Sequence, residues 1–346
     1  MTAIDTSHLQ PLSMGQVLDR AIRLYRQNFF AFIGIIAIVQ IISAIASILL
    51  NYIQLGQNSL YSDSPALPVL GGLIAVVLIF ISGFLLQIAS AALTRAVADN
   101  YLGHKITIRE AYSKIGRSWL SLIGSSILMG ILIFVFLLLF FIPCIGWLLA
   151  IPGIGGVSYV TMVVLPFLAP VIVLEKQTAT SAPGRAWNLA RRRFWWLFAF
   201  ALLLALFGQL VVSGPAYLTL ALTTSLLFSG TIDPMVSAIL QQSVTFLFGV
   251  LYYPLQLTCI TLMYFDVRIR TEGFDLALLA AADTDSQKED IDISVGITTA
   301  NESITPTTEE MGYFSLISIG SVLVFGIIWF LMIGFISLFM SSMGGF

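Results

Sequence analysis

The chain reads as long apolar runs broken by short polar segments. Runs long enough to cross a bilayer as helix, which takes about 20 residues, fall at Phe29 to Leu50, Val69 to Ala92, Trp119 to Phe141, Trp147 to Leu174, Phe194 to Val212, Val236 to Phe265 and Tyr313 to Phe339. They predict seven transmembrane helices. The stretch Ala216 to Leu227 is apolar too. At a rise of about 1.5 Å per residue it falls short of a hydrocarbon core of about 30 Å, so it is expected to be interfacial or re-entrant.

Ahead of spans one, three and five the pattern changes to a helical face. With Ala21, Ala111 and Ala186 aligned, apolar residues coincide one position on (Ile22, Tyr112, Trp187), four on (Tyr25, Ile115, Ala190) and eight on (Phe29, Trp119, Phe194). Polar groups coincide as well: Arg20, Glu110 and Arg185 before the anchor, then Arg23, Ser113 and Asn188 after it. Spacings of 1, 4 and 8 mark one side of a helix. Each unit is therefore expected to be an interfacial amphipathic helix leading into a transmembrane hairpin, and three such units make a six-span core.

Charge orients this pattern. All 16 Lys and Arg lie in four segments, Arg20 to Arg26, Arg95 to Arg117, Lys176 to Arg193 and Arg268 to Lys288. The loops between, Asn51 to Pro68, Pro143 to Gly146 and Ser213 to Met235, hold none. Under the positive-inside rule the amino terminus is cytoplasmic, six spans return the chain to the cytoplasm at Arg268, and the seventh takes the carboxyl end outside. Counting Ala216 to Leu227 as a separate span would export Arg268 and Arg270, so parity argues against it. From Ala281 to Met311 the composition turns to Asp, Glu, Ser and Thr, which predicts a disordered acidic linker. The organisation expected is a membrane domain over residues 1–280, the linker over 281–311 and a final transmembrane helix within 312–346.

Composition agrees with the pattern. Of the 346 residues 58% are hydrophobic and only 10% charged, against about 25% in soluble chains, so a soluble globule is excluded. Cys144 and Cys259 lie in or at the end of apolar runs and read as small apolar residues, not a disulfide.

Catalytic chemistry is hard to find. The two histidines, His8 and His104, lie outside the spans, and there is no metal-ligand, nucleophile-elbow or Walker pattern, so neither an enzyme site, a metal nor a cofactor is expected. Gly153 to Gly156 lacks the lysine of a phosphate loop and reads as a helix break. No ionisable residue sits mid-span, which disfavours an ion-coupled carrier. Gln40, Gln87, Gln209, Gln241, Gln242 and Gln256 are available for interhelical hydrogen bonds, and Pro166, Pro170 and Pro254 are expected to kink spans four and six.

Two clusters stand out. Trp187, Arg191, Arg192, Arg193, Trp195 and Trp196 combine guanidinium donors with interfacial indoles and are candidates for binding anionic headgroups. At the end of span six, helical spacing pairs Asp266 with Arg270 and Arg268 with Glu272, with Gly273 as cap and Tyr264 and Asp275 flanking. That motif is expected to lock against the basic interfacial helices and close the cytoplasmic face. An alternative cytoplasmic enzyme site would gather Asp99, Glu175 and the arginines.

Three segments carry a family resemblance: LSMGQVLDRAIRLYRQNFF near the start, the central PVIVLEKQTATSAPGRAWNLARRRFWW, and YFDVRIRTEGFDL at the end of span six. From about Leu12 to Leu279 the chain resembles the membrane-domain family named after glycerophosphoryl diester phosphodiesterases. The resemblance implies a multi-pass protein of the bacterial inner membrane. Hydrolysis in those phosphodiesterases belongs to a separate soluble barrel for which this chain has no room, so that activity is not implied. The linker and seventh span depart from the plain six-span pattern. The expected role is a non-enzymatic scaffold or accessory subunit that organises phospholipids or a membrane-protein partner reached through the seventh helix, with no nucleic acid involved. A transporter or channel for a small uncharged or lipidic substrate, or a lipid-modifying enzyme, are the alternatives.

Overall fold

The structure, a computed structural model, describes residues 12–59, 66–103, 107–142, 145–277 and 305–343. Every regular element among them is helical: α1 (Met14–Gln27), α2 (Phe29–Ser59), α3 (Ala66–Tyr101), α4 (Ile108–Lys114), α5 (Ser118–Leu138), α6 (Ile145–Tyr159), α7 (Leu165–Glu175), α8 (Ala182–Arg191), α9 (Phe194–Gly208), α10 (Gly214–Phe228), α11 (Pro234–Glu272) and α12 (Thr308–Met343). Among the described residues six helical stretches are long and apolar enough to cross a membrane, namely Phe29–Asn51, Leu70–Tyr101, Ser118–Phe141, Leu149–Glu175, Phe194–Phe228 and Pro234–Glu272. The protein is an all-α polytopic membrane protein.

The expected short element at Ala216 to Leu227 is not separate. It forms most of α10, which continues α9 through a π turn at Gln209–Ser213 and makes one span of 35 residues. A second π turn, Val160–Val164, joins α6 to α7. Both π turns end just before a proline, Pro215 and Pro166. Proline removes an amide donor and collides with the preceding turn, and one extra residue in that turn relieves both without breaking the helix. The parity of the chain is unchanged, because the extension lengthens span five and adds no crossing.

The three interfacial units appear as α1, α4 and α8, and their anchors Ala21, Ala111 and Ala186 are all fully buried. A small residue there lets each short helix lie close against the bundle. Reciprocal capping starts two of them, Ser13 with Gln16 in α1 and Thr107 with Glu110 in α4. The Thr107 amide holds the Glu110 carboxyl below its ordinary value, the sign expected for an anion at a helix start. A tyrosine hydroxyl then ties each unit to a neighbouring helix: Tyr25 donates to the Leu251 carbonyl at 3.0 Å, Tyr112 to Ile35 at 2.8 Å, and Tyr159 to Ala190 at 2.9 Å.

Packing is concentrated at the end of the bundle that carries the basic segments. All nine residues from Phe167 to Glu175 in α7 are buried, as is the run Thr258 to Ile269 in α11. Helices α1, α2, α3, α7, α9 and α10 all pack on α11, which is thus the hub. Toward the opposite end the spans turn exposed apolar side chains outward, Leu73 and Phe80 in α3, Phe134 in α5 and Leu218 in α10. In a membrane those faces meet lipid chains.

The sequence places the start of the last span at Tyr313, but α12 begins at Thr308, so the helix takes in Thr308 to Met311 from the expected linker. The cause is a third reciprocal cap, in which the Thr307 amide donates to Glu310 at 2.7 Å and the Glu310 amide to the Thr307 hydroxyl at 3.3 Å. Among the described side chains of α12, Glu310, Phe314, Ile317 and Ser318 in its first turns are buried, whereas Ile319, Val322, Leu323 and Phe330 are exposed. Its strongest packing is against α6.

Candidate functional site: a buried ionic lattice at the basic end

Arg268 is the largest fully buried side chain among the described residues. It reaches Glu272 at 3.0 Å one turn away, the Tyr264 hydroxyl at 3.2 Å, and Glu175 at the end of α7 at 3.7 Å. Its guanidinium lies 4.3 Å from the centre of the Phe274 ring, a face that offers attraction without a hydrogen bond. Tyr264 donates to Glu175 at 2.7 Å. From α8, Arg185 places one nitrogen 2.8 Å from Glu175 Oε2 and another 2.8 Å from Glu272 Oε2, bridging the two carboxylates. Burial works against the charge of Arg185, yet the bonds and charges from Glu272 and Glu175 outweigh it and hold the guanidinium above its ordinary value. Two cations and two carboxylates thus join three helices, and Gly273, with φ of +61°, provides the left-handed turn that ends α11.

A second node centres on Asp266. It accepts the Leu12 amide at 2.7 Å, pairs with Arg193 at 3.0 Å and with Arg270 at 3.1 Å, and Arg270 returns a bond to the Leu12 carbonyl at 2.8 Å. The segment entering α1 is therefore stitched to the end of α11, the two being separated by the whole six-span core. A third node holds Asp99 between Arg95 at 3.1 Å and Lys114 at 3.2 Å, joining α3 to α4. The fourth joins the core to the last helix: Arg191 grips Glu310 with two bonds of 2.7 and 2.9 Å.

The structure brings the span-six motif of Tyr264, Asp266, Arg268, Arg270, Glu272 and Gly273 together as one unit, while Asp275 lies partly exposed beyond the cap. The basic aromatic segment is divided among several roles. Arg191 stacks 5.6 Å from the Trp187 ring while pairing with Glu310, Arg192 approaches the Thr271 carbonyl at 3.4 Å and Glu272 at 3.9 Å, and Arg193 lies 4.4 Å over Trp196 while pairing with Asp266. Trp195 is exposed and Trp196 stacks on Phe200. Each arginine of this segment therefore has a carboxylate of the protein within ion-pair distance, so neutralising all three would loosen α11 and α12 as well as change surface charge.

Asp99 and Glu175, the acids of the alternative enzyme site, belong to different nodes. Their shared feature is a cation already in contact. Among the described residues no group of three or more His, Cys, Asp or Glu converges in a metal-binding arrangement. Cys259 is buried and free, and Cys144, His8 and His104 lie outside the described residues. Sequence reasoning missed Arg185 and Glu310 as partners. The first was visible as the polar position before the repeat anchor, and the second as the third residue after Thr307 in a capping pattern.

Two hollows accompany the lattice. One, about 440 Å³ and almost wholly apolar, lies between α5, α6, α8 and the start of α12. The other, about 350 Å³, sits toward the opposite end and is lined by Asn51, Ser237, Gln241, Gln242 and Thr245. Gln241 there donates toward Thr223 and Ser237, both at 3.3 Å. No family model matches the chain, and no curated protein or solved structure does.

Proposed function

We propose that this chain is a non-enzymatic scaffold or accessory subunit of the bacterial inner membrane, of the membrane-domain family that its sequence resembles, with the six-span core holding α12 toward lipid or a partner protein. One observation carries the reading: every buried carboxylate among the described residues, Asp99, Glu175, Asp266, Glu272 and Glu310, already has a cation of the protein in contact. A catalytic acid or proton relay needs a poised and accessible group, whereas charges paired and buried in this way rigidify a surface. The exposed apolar residues Ile319, Val322, Leu323, Ile327 and Phe330 of α12, beyond its buried first turns, are the surface that would face a partner.

The expected result is that purified full-length protein in liposomes carries no solute flux above empty vesicles, and that a membrane protein co-purifying with the full chain is lost when residues 305–346 are deleted. Saturable flux of a small solute would overturn the reading. It would favour the second one, a carrier for an uncharged substrate, which the amide-lined hollow at Gln241 and Gln242 supports. Orientation is tested separately: a cysteine at position 229 is expected to label from outside the cell, and one at position 286 only after permeabilisation. External labelling at position 286 would reverse the topology.

A further inference from the structure

The cations of α1 and α4 divide into two sets. One from each helix ties it to the end of α3: Arg20 donates to the Tyr101 hydroxyl at 3.0 Å, and Lys114 pairs with Asp99 at 3.2 Å. Arg26 of α1 and Arg109 of α4 are exposed instead. Among the described residues neither has an ion pair or a hydrogen bond, in contrast to Arg191, Arg192 and Arg193, each of which meets a carboxylate. The acids nearest in sequence leave this pair unneutralised. Glu110 is held by the Thr107 amide at 2.8 Å, and Asp19 lies nearly two turns before Arg26.

Steps of four residues carry one helix face from charge into hydrocarbon. Ile22, Arg26 and Phe30 follow one another at that spacing and all are exposed, Phe30 by 87%. The spacing holds across the joint of α1 and α2, because the Phe32 amide donates to the Asn28 carbonyl and the Asn28 amide to Leu24. One turn beyond Phe30 comes Gly34, where an added Cβ would collide with the Ile108 side chain, so α4 crosses α2 at that point. Arg109 follows Ile108 directly. The two arginines therefore flank Phe30 along the helix, Arg26 one turn before it and α4 one turn after. Past the crossing the same face runs on through Ile38, Ile41, Ile45 and Leu49, all exposed.

We propose that Arg26 and Arg109 bind the phosphate of an anionic phospholipid whose acyl chain lies over Phe30 and along Ile38 and Ile41 of α2. A pair of free guanidinium groups at the head of an exposed apolar track has the same order as a phospholipid, phosphate first and hydrocarbon after it. Attraction for anionic headgroups thus belongs to α1 and α4, and the basic aromatic segment spends its charge on carboxylates of the protein. The rival anion within the chain is the stretch Asp283 to Asp292, but of its ten residues only Ile291 is apolar enough to cover Phe30. The site goes beyond the scaffold reading, which rests on the ionic lattice and α12 and can fail without touching it.

The test places the full-length protein in phosphatidylcholine liposomes containing phosphatidylglycerol with a photoactivatable diazirine at the ester end of its acyl chain. A second set carries the same diazirine on phosphatidylcholine, and adducts are mapped by peptide. Phosphatidylglycerol is expected to enrich adducts on residues 27–41 over phosphatidylcholine. Arg26→Gln and Arg109→Gln, both at exposed positions, should each lower that enrichment about fivefold, the effect of one cation beside an anionic surface. Arg26→Lys should keep most of it, raised salt should weaken it, and Arg191→Gln should leave it unchanged. Equal labelling by the two lipids, or an enrichment that survives both glutamine variants, would overturn the proposal. An equal loss in Arg191→Gln would overturn it too, by showing attraction to the basic surface as a whole. So would a rise in adducts on residues 27–41 when Asp283, Asp285, Glu289, Asp290 and Asp292 are changed to their amides, which would make the acidic stretch the occupant.

Discussion

Arg268→Met is expected to lower the stability of the bundle by about 3–5 kcal/mol, because it removes a buried cation and leaves its carboxylate partners underneutralised. Met keeps the length of the stem over Phe274 and Tyr264, so the loss reports charge more than volume. Without Arg268 the buried Glu175 and Glu272 share Arg185, with Arg192 no nearer than 3.9 Å. The double variant Arg268→Met with Glu272→Gln is expected to recover much of the loss, since it removes the orphaned anion together with its partner. Thermal or denaturant unfolding in detergent, read for the parent, both single variants and the double, closes the cycle. A single variant with an unshifted midpoint would mean that Arg268 does not hold the lattice together.

Gly155→Leu should release α12 from the core. A Cβ at Gly155 would collide with the Phe314 backbone oxygen, and the Gly155 amide donates to the Ser318 hydroxyl at 2.6 Å, so the two helices touch backbone to backbone. No rotamer change relieves a clash with backbone, and close approach through a small residue is how membrane helices gain contact where lipid competes with every apolar side chain. Release should uncover the aromatic cluster in which Phe194 stacks on Tyr159 at 4.0 Å with Phe314 beside both. With a protease site placed within residues 284–303, the cleaved C-terminal fragment is expected to co-purify with the core in the parent and to separate in Gly155→Leu. Arg191→Gln should weaken the association less, since it removes one bidentate ion pair and leaves the aromatic packing intact. Retention of the fragment in Gly155→Leu would show that another surface holds α12.

How the site could be read from the sequence depends on distance along the chain. The pairs Asp266 with Arg270 and Arg268 with Glu272 are one helical turn apart, so spacing alone predicted them. Arg185 with Glu272, Arg191 with Glu310 and the Leu12 amide with Asp266 join elements far apart in sequence. Their side chains satisfy no local pattern. The basic aromatic segment showed the same limit, because guanidinium and indole groups at a membrane surface suit lipid and protein carboxylates alike, and only the positions of Glu272, Asp266 and Glu310 show which acids they meet.

The sequence by itself determined that the chain spans a membrane, where its spans lie, that its basic segments gather at one end, and that short amphipathic helices precede spans one, three and five. Those properties follow from the transfer of side chains between water and hydrocarbon, which acts residue by residue and leaves its record in linear order. Only the tertiary structure decided that α9 and α10 form one span, that α12 starts inside the acidic segment and seats on Gly155, and that the charges of the basic end meet as a buried lattice. Within a bilayer all apolar helix faces are nearly equivalent to one another, so which faces meet is settled by backbone approach at small residues and by the pairing of the few buried charges, both of which depend on residues brought together from distant parts of the chain.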